Sequence, residues 1–152
     1  MTSLPPYASQ DRTMTSLSSF LSPSSDLPPI TLTRTVHRRL SSLSAAAAER
    51  LPEVAEYLDR ELDRARVVAD DALPEATVTI GSPLAFLDCD TDQRHAVTLV
   101  WPAEEDSAHQ RLSVMTPVGA ALIGLHAGQG IAWRNRAGVW RRLRVEHVGC
   151  VG

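Results

Sequence analysis

The sequence predicts an α+β fold in which a short antiparallel helical hairpin precedes a small domain whose antiparallel β-sheet wraps one short helix. Three observations support this prediction. Apolar residues recur at helical spacing between positions 35 and 68, they alternate with polar residues in short segments after position 71, and the pair Thr116-Pro117 introduces one apolar helix within the alternating region. A chain of 152 residues has room for one good core, or for one domain with an appendage.

Residues 1–34 are expected to be a disordered tail rich in Ser, Thr and Pro. These three residue types fill 16 of the first 30 positions. A segment of that composition cannot bury enough apolar surface to offset the entropy lost on ordering. The tetrapeptide MTSL occurs at Met1 and again at Met14, so the sequence offers two candidate translation starts.

Residues 35–70 are expected to form the hairpin. The apolar face of its first helix consists of Val36, Leu40, Leu43 and Ala47. Thr35 is the expected N-cap, and the helix should end near Arg50 because Pro52 cannot continue it. The second helix is predicted from Pro52 to about Val68, which corresponds to roughly 25 Å at 1.5 Å per residue. Its apolar stripe consists of Val54, Leu58, Leu62 and Ala65.

Residues 73–150 are expected to form the β-rich domain. The predicted strands lie near 77–80, 84–86, 95–101, 111–115, 131–134 and 139–148, and the predicted helix lies at 118–125. In the last strand, Leu143 and Val145 are expected to face the core. Their neighbours Arg142, Arg144 and Glu146 are expected to face water.

Composition and charge indicate a cytoplasmic protein. The formal net charge of −3 gives no global reason to expect nucleic-acid binding. Two cysteines, Cys89 and Cys150, do not make a disulfide framework and indicate a reducing compartment. No run approaches the roughly 20 apolar residues that span a bilayer, and the hydroxyl-rich N-terminus does not resemble a signal peptide.

No motif in the sequence points to catalysis or to a resident cofactor. The segment Asp88–Asp92 has the spacing that opens a calcium-binding loop, but Gln93 and Leu99 occupy the positions that need Gly and Glu. Cys89 and His95 are too few to hold zinc. No serine lies in a G-x-S-x-G elbow, and no glycine loop follows a phosphate-binding pattern. We therefore expect no catalytic residue, no metal and no cofactor.

Arginines and tryptophans are concentrated in residues 133–144. The arginines considered as basic contacts are Arg134, Arg136, Arg142 and Arg144, and Trp133 and Trp140 lie among them. Three interpretations remain open at this point. The segment could grip a phosphate backbone and stack bases, it could be a hairpin with one solvated face, or it could dock an acidic protein partner.

Two carboxylates, Glu49 and Glu53, flank the predicted tip of the hairpin. Paired carboxylates at a protruding tip could hold a metal ion inside the active site of another protein. Glu53 also stands where a helix N-terminus favours an acidic side chain, so a purely structural role is the simpler interpretation.

One long segment resembles a known family. It runs from Leu112 to Leu125 as LSVMTPVGAALIGL and is followed by Gly128 and by Ile131-Ala-Trp133. This pattern resembles the C-terminal domain of the GreA/GreB transcript-cleavage factors, and still more the short branch called regulators of nucleoside diphosphate kinase. The segments LVWPA at 99–103 and ELDRA at 61–65 agree with that branch in order and spacing. The resemblance covers roughly residues 35–148.

The resemblance implies an FKBP-like domain over 73–150, preceded by a truncated coiled coil. It also implies a partner, because members of the family bind bacterial RNA polymerase at the rim of its secondary channel, where the C-terminal domain grips the β′ subunit. The loop before the short helix takes part in that contact and corresponds here to Ser113, Met115, Thr116 and Pro117. The cleavage factors carry Asn or Asp where this chain has Met115.

The expected function is that of a monomeric, non-catalytic transcription regulator. The cleavage factors insert a longer hairpin with a paired acidic motif, which the tip AERLPE at 48–53 lacks. We therefore expect the chain to occupy the channel mouth and to compete with Gre-type factors during elongation. The name of the short branch suggests control of nucleoside diphosphate kinase levels. Two alternatives remain: an FKBP-like prolyl isomerase, and a module that binds DNA or single-stranded nucleic acid weakly through residues 133–144.

Overall fold

The computed structural model describes residues 27–149. Three α-helices are present in this range: α1 (Arg34–Ala47), α2 (Pro52–Arg64) and α3 (Pro117–Leu122). Seven strands accompany them: β1 (Thr31–Thr33), β2 (Arg66–Val68), β3 (Pro83–Asp88), β4 (Gln93–Val100), β5 (Arg111–Ser113), β6 (Gly130–Arg134) and β7 (Trp140–Val148). Two 3₁₀ turns, Pro102–Glu104 and Ser107–His109, connect β4 to β5. None of the helices in this described part is long and apolar enough to cross a membrane.

The first two helices lie side by side in opposite directions. His37 Nε2 near the start of α1 is 3.0 Å from the carbonyl oxygen of Leu62 near the end of α2. Near the other end, the hydroxyl of Ser44 is 3.1 Å from the carbonyl oxygen of Ala55 and 2.6 Å from a carboxylate oxygen of Asp59. We call α1 and α2 together the helical pair.

The start of α1 differs slightly from the prediction. The N-cap is Thr33, not Thr35, and its hydroxyl accepts a hydrogen bond from the Val36 N–H. Thr35 instead donates from both its backbone N–H and its hydroxyl to the carboxylate of Asp70. Asp70 thereby satisfies one of the amides that a helix N-terminus leaves without an intrahelical partner.

The second helix is shorter than predicted, because the chain leaves it at Arg64 and forms β2 where helix was expected. Strand β2 pairs in parallel with β1, with Thr31 opposite Arg66 and Thr33 opposite Val68. This pairing also corrects the boundary of the tail that was expected to be disordered over 1–34. Residues 1–26 of that prediction lie outside the described residues.

Burial explains why residues 30–33 belong to the folded part of the chain. Ile30 and Leu32 are fully buried, so this segment supplies the apolar surface that the preceding composition lacks. Its backbone is also paired, since the Thr31 N–H donates to the Gly124 carbonyl over 3.1 Å. Gly124 has a φ of +83°, and a Cβ there would lie 2.8 Å from the Ile30 Cβ, so only glycine permits the contact.

The main sheet has five strands in the order β5-β4-β3-β7-β6. It is mixed rather than purely antiparallel, because β4 and β5 run in parallel while the other neighbours are antiparallel. The strand predicted near 77–80 is replaced by a single bridge from Thr77 to His126. The chain is therefore α+β, with a curled sheet beside one short helix, as the sequence predicts in outline.

One hydrophobic core joins the helical pair to the sheet. Its buried members include Leu40, Leu58, Leu84, Leu99, Leu122 and Val145, which come from both helices of the pair, from three strands and from α3. Arg39 of α1 also stacks over the ring of Trp101, 4.3 Å from the ring centroid, just after β4. We call the face of the sheet that looks toward this core the inner face, and the opposite side the outer face.

Candidate functional site

A tight turn precedes α3, at the residues that the resemblance singles out. The hydroxyl of Thr116 accepts a hydrogen bond from the Gly119 N–H over 3.1 Å and donates to the Ser113 carbonyl over 2.7 Å. Thr116 is thus the N-cap of α3, and Pro117 follows at its first position, as the sequence predicts. A Cβ on Gly119 would lie 2.1 Å from the Ser113 carbonyl oxygen, so this turn closes only around a glycine.

The four predicted docking residues divide into two pairs. Ser113 and Met115 are buried, with exposed fractions of 2% and 6%, and the Ser113 hydroxyl accepts the Met115 N–H over 3.0 Å. Thr116 and Pro117 are half-buried and reach the surface. The buried pair therefore shapes the turn, and the second pair is the part of it that a partner can touch.

A surface groove of about 410 Å³ begins at Thr116 and Pro117. We call it the docking groove. Its other walls come from β5, α3, β6 and the turn after β6, and the lining residues are Leu112, Val118, Trp133, Asn135, Arg136 and Ala137. Most of this surface is apolar, and Arg136 is the one charged residue of the lining.

Several of these lining residues were not predicted as site residues. Asn135 closes the turn after β6, because its side-chain oxygen accepts the N–H groups of Ala137 and Val139, both over 3.0 Å. The sequence signals both turns through Thr116-Pro117 and Asn135–Gly138. It does not signal that α3 packs against β6, which is what brings the two turns to one groove.

The alternation of side chains divides the arginine-rich segment between the two faces of the sheet. Trp133 pairs with Arg141, and both lie on the inner side with the buried Leu143. Arg141 forms an ion pair there with Asp88 over 2.7 Å and reaches Asp90 over 3.5 Å. Burial opposes ionisation of Asp88, but the hydrogen bonds it accepts outweigh that effect and lower its pKa.

Three of the predicted basic contacts lie on the outer face. Arg134 pairs with Trp140, Arg142 with Ala132, and Arg144 with both Gly130 and Leu87, which places all of these residues on one side. Arg134, Arg142 and Arg144 are exposed, whereas Arg136 lines the docking groove. Leu143 and Val145, which alternate with Arg142 and Arg144 along β7, are buried, as predicted. We call Arg134, Trp140, Arg142 and Arg144 the basic face.

The predicted tip residues stand apart from these surfaces. Glu49 lies in the connection between α1 and α2, Glu53 lies in the first turn of α2, and both are exposed. Across residues 27–149, no group of three or more His, Cys, Asp or Glu side chains is arranged to hold a metal ion. The exposed Cys89 lies in the turn between β3 and β4, away from the groove.

The fold and the turn before α3 define the class. Residues 73–149 match the family described as "Transcription elongation factor, GreA/GreB, C-term", and residues 28–68 match the family described as "Rnk N-terminus". The chain therefore belongs to the GreA/GreB family of transcription elongation factors, in the branch that carries the Rnk N-terminal segment.

Individual relatives agree with this assignment. The regulator of nucleoside diphosphate kinase of Escherichia coli strain K12 is 39% identical over 92 residues, which cover 60% of this chain and 68% of the relative. The transcription elongation factor GreA of Thermodesulfovibrio yellowstonii is 32% identical over 74 residues, 49% of this chain and 47% of that factor. A solved GreA/GreB structure from Nitrosomonas europaea superposes with a TM-score of 0.62 at 31% identity, over 81% of this chain and 99% of that one.

Proposed function

We propose that this chain is a non-catalytic transcription regulator that binds bacterial RNA polymerase near the secondary channel. The observation that carries the proposal is the docking groove. The loop that the family resemblance implies as the contact with the polymerase β′ subunit includes Thr116 and Pro117, and both line that groove. An apolar groove of this size can accept the side chains of a partner helix or loop.

The chemistry of the groove defines what its partner should offer. Apolar side chains would fill the space over Val118 and Trp133, and an acidic side chain would meet Arg136 at the rim. Ser113 and Met115 act indirectly in this proposal, since they hold the turn from inside the core. We also propose that the sheet and α3 form an FKBP-like domain, that the helical pair is a truncated coiled coil, and that the protein acts as a monomer in the bacterial cytoplasm.

The helical pair limits what the bound protein can do. Helices α1 and α2 contain 14 and 13 residues, so each is about 20 Å long. This is shorter than the roughly 25 Å that the sequence predicts for α2, and it strengthens the expectation that the tip cannot reach the polymerase active site. The protein would then occupy the channel mouth and exclude longer Gre-type factors by competition, to an extent set by relative affinity and concentration.

A binding assay with core RNA polymerase that is free of nucleic acid tests the docking groove. Arg136→Glu should weaken binding about tenfold or more, because it places a carboxylate where an acidic partner group is expected. Ala137→Glu, at the exposed end of the same groove, should have a similar effect. The matched control is Arg66→Glu, which makes the same charge change on exposed β2. Equal binding by Arg136→Glu, Ala137→Glu and the wild type would refute the docking groove.

An assay with stalled elongation complexes tests the competition. The protein alone should cause no transcript cleavage, and an excess of it should suppress cleavage stimulated by a Gre factor. Arg136→Glu should lose this suppression in proportion to its loss of binding. Cleavage stimulated by the protein alone would contradict the proposal directly.

The structure does not favour the prolyl isomerase alternative. An isomerase cleft needs several aromatic walls, and the four aromatic residues between 73 and 149 are dispersed. Phe86 stacks on His95, and the guanidinium of Arg39 lies over the ring of Trp101. Trp140 lies on the basic face, so among these four only Trp133 lines the groove.

A further inference from the structure

We infer that the basic face binds single-stranded nucleic acid, with its arginines on the phosphate backbone and Trp140 stacked on a base. The inference concerns a surface different from the docking groove. Strand alternation sends Trp133 to the inner side and Trp140 to the outer side of the sheet. The two surfaces can therefore be occupied or disabled separately.

The charge of the basic face is not compensated within the described residues. Between residues 27 and 149 the ion pairs involve Arg64, Arg94, Arg141 and His109, and none involves Arg134, Arg142 or Arg144. Three positive charges thus stand on one sheet surface of a chain whose formal net charge is −3. A local excess of this kind favours a polyanionic ligand.

The nearby acidic groups are engaged elsewhere. Glu146 accepts a hydrogen bond from Arg94 over 2.7 Å. Asp90 accepts the backbone N–H of Arg142 over 2.9 Å and lies 3.5 Å from the guanidinium of Arg141. Each carboxylate is therefore matched by a donor of its own. The guanidinium groups of Arg142 and Arg144 remain available to phosphate.

Trp140 distinguishes a nucleic acid from other polyanions. It is half-buried, and it is not among the partly buried side chains that pack against the core. It lies directly opposite Arg134, two residues from Arg142 on the same side of β7. An aromatic ring between arginines on an open sheet is the arrangement that stacks unpaired bases, and a duplex does not offer such bases.

A fluorescence anisotropy titration of the full chain tests the inference. The probes are labelled oligo(U) and oligo(dT) of about 12 nucleotides, a length within the range that one such surface covers. With three arginines on phosphates, the logarithm of the association constant should fall with the logarithm of salt at a slope of about −2. Comparison of the two probes shows whether the face discriminates RNA from DNA.

Three substitutions separate charge from stacking. Arg142→Gln and Arg144→Gln should each reduce the size of that slope by about 0.7. Trp140→Ala should weaken binding about tenfold with the slope unchanged, and Trp140→Phe should retain most of the affinity. Arg66→Gln is the matched control and should bind like the wild type. Circular dichroism of each variant verifies that it is folded.

Two results would overturn the inference. One is wild-type affinity and slope for both Arg142→Gln and Arg144→Gln. The other is equal displacement of the probe by oligoglutamate of matched charge together with no effect of Trp140→Ala, which would identify an acidic protein as the ligand. Because Arg142→Gln should still bind nucleic-acid-free core polymerase, a failure of this inference is distinguishable from a failure of the docking groove.

Discussion

At the scale of single residues, the turn before α3 depends on Gly119, because glycine has no Cβ atom. The Ser113 carbonyl occupies the space where a Cβ would stand, at 2.1 Å. That carbonyl also accepts the Thr116 hydroxyl, so it cannot move without disturbing the cap of α3. The geometry of the docking groove is thus fixed by backbone packing as much as by the residues that line it.

Gly119→Ala should lower the free energy of unfolding by about 2–3 kcal/mol, the cost of forcing extra volume into a packed site. Gly128→Ala is the control, since Gly128 has a φ of +92° but open space around its Cβ position. Gly128→Ala should lower the free energy of unfolding by only about 1–2 kcal/mol, because alanine is disfavoured in the left-handed conformation. Urea unfolding of both variants measures the difference. A smaller loss for Gly119→Ala than for Gly128→Ala would contradict the steric explanation.

Asp70 should make the free energy of unfolding depend on pH in the acid range. The hydroxyl of Thr35, and then its N–H, hold the pKa of Asp70 below its usual value. A carboxyl whose folded pKa is lowered stabilises the fold above its unfolded pKa, and the contribution is lost as the pH falls through the folded pKa. Wild type should therefore lose stability below about pH 4 more steeply than Asp70→Asn. Parallel pH profiles for the two proteins would refute this role of Asp70.

At the scale of elements, α2 is attached to the start of the described chain through Arg64, which also pairs with the buried Glu61 inside the same helix. Glu61 is 1% exposed and receives two hydrogen bonds from Arg64, over 2.7 and 3.0 Å. Arg64 also donates to the carbonyl of Pro28. Arg64 thereby connects the last turn of α2 to the segment that leads into β1.

Arg64→Met should lower the free energy of unfolding by about 3 kcal/mol, because Glu61 would remain buried without its partner. The double variant Glu61→Leu/Arg64→Met should recover much of that loss, since it removes both charges together. Thermal and urea unfolding of the two variants tests the coupling. A double variant less stable than Arg64→Met alone would show that Glu61 is satisfied by other groups.

The sequence predicts long elements better than short pairings. The helices, the last strand and the Thr116-Pro117 cap all follow from local periodicity or local capping chemistry. Strands β1 and β2 do not, because each has three residues and their pairing joins positions 35 apart along the chain. Only the folded structure reveals that pairing. Because the prediction missed it, the predicted second helix and the predicted tail were both too long.

The arginine-rich segment shows the same limit of sequence-based prediction at the candidate functional site. Period-two alternation correctly predicts that Leu143 and Val145 are buried and that Arg142 and Arg144 are exposed. It does not reveal that Arg136 and Trp133 belong to a groove with Thr116. That grouping depends on the packing of α3 against β6, for which the sequence carries no local signal.

At the scale of the whole molecule, the helical pair and the sheet should unfold as one unit. Their buried side chains form a single cluster, and the backbone bond from Thr31 to Gly124 joins the two parts. Unfolding monitored by helical circular dichroism and by tryptophan fluorescence should therefore give coincident transitions. Two separated transitions would show that the parts are energetically independent.

The contact of Arg39 with Trp101 and the shared core have a consequence for orientation. A chain with two parts joined only by a flexible linker could swing one part while the other stays bound. Here the tip at Glu49 should keep a constant distance from the β3–β4 turn at Cys89, which lies away from the docking groove, whether the protein is free or attached to polymerase. Fluorophores on Glu49→Cys and on the native Cys89, in a Cys150→Ser background, should report one narrow energy-transfer efficiency in both states. The orientation in which the sheet binds polymerase would then by itself determine the direction in which the helical pair points.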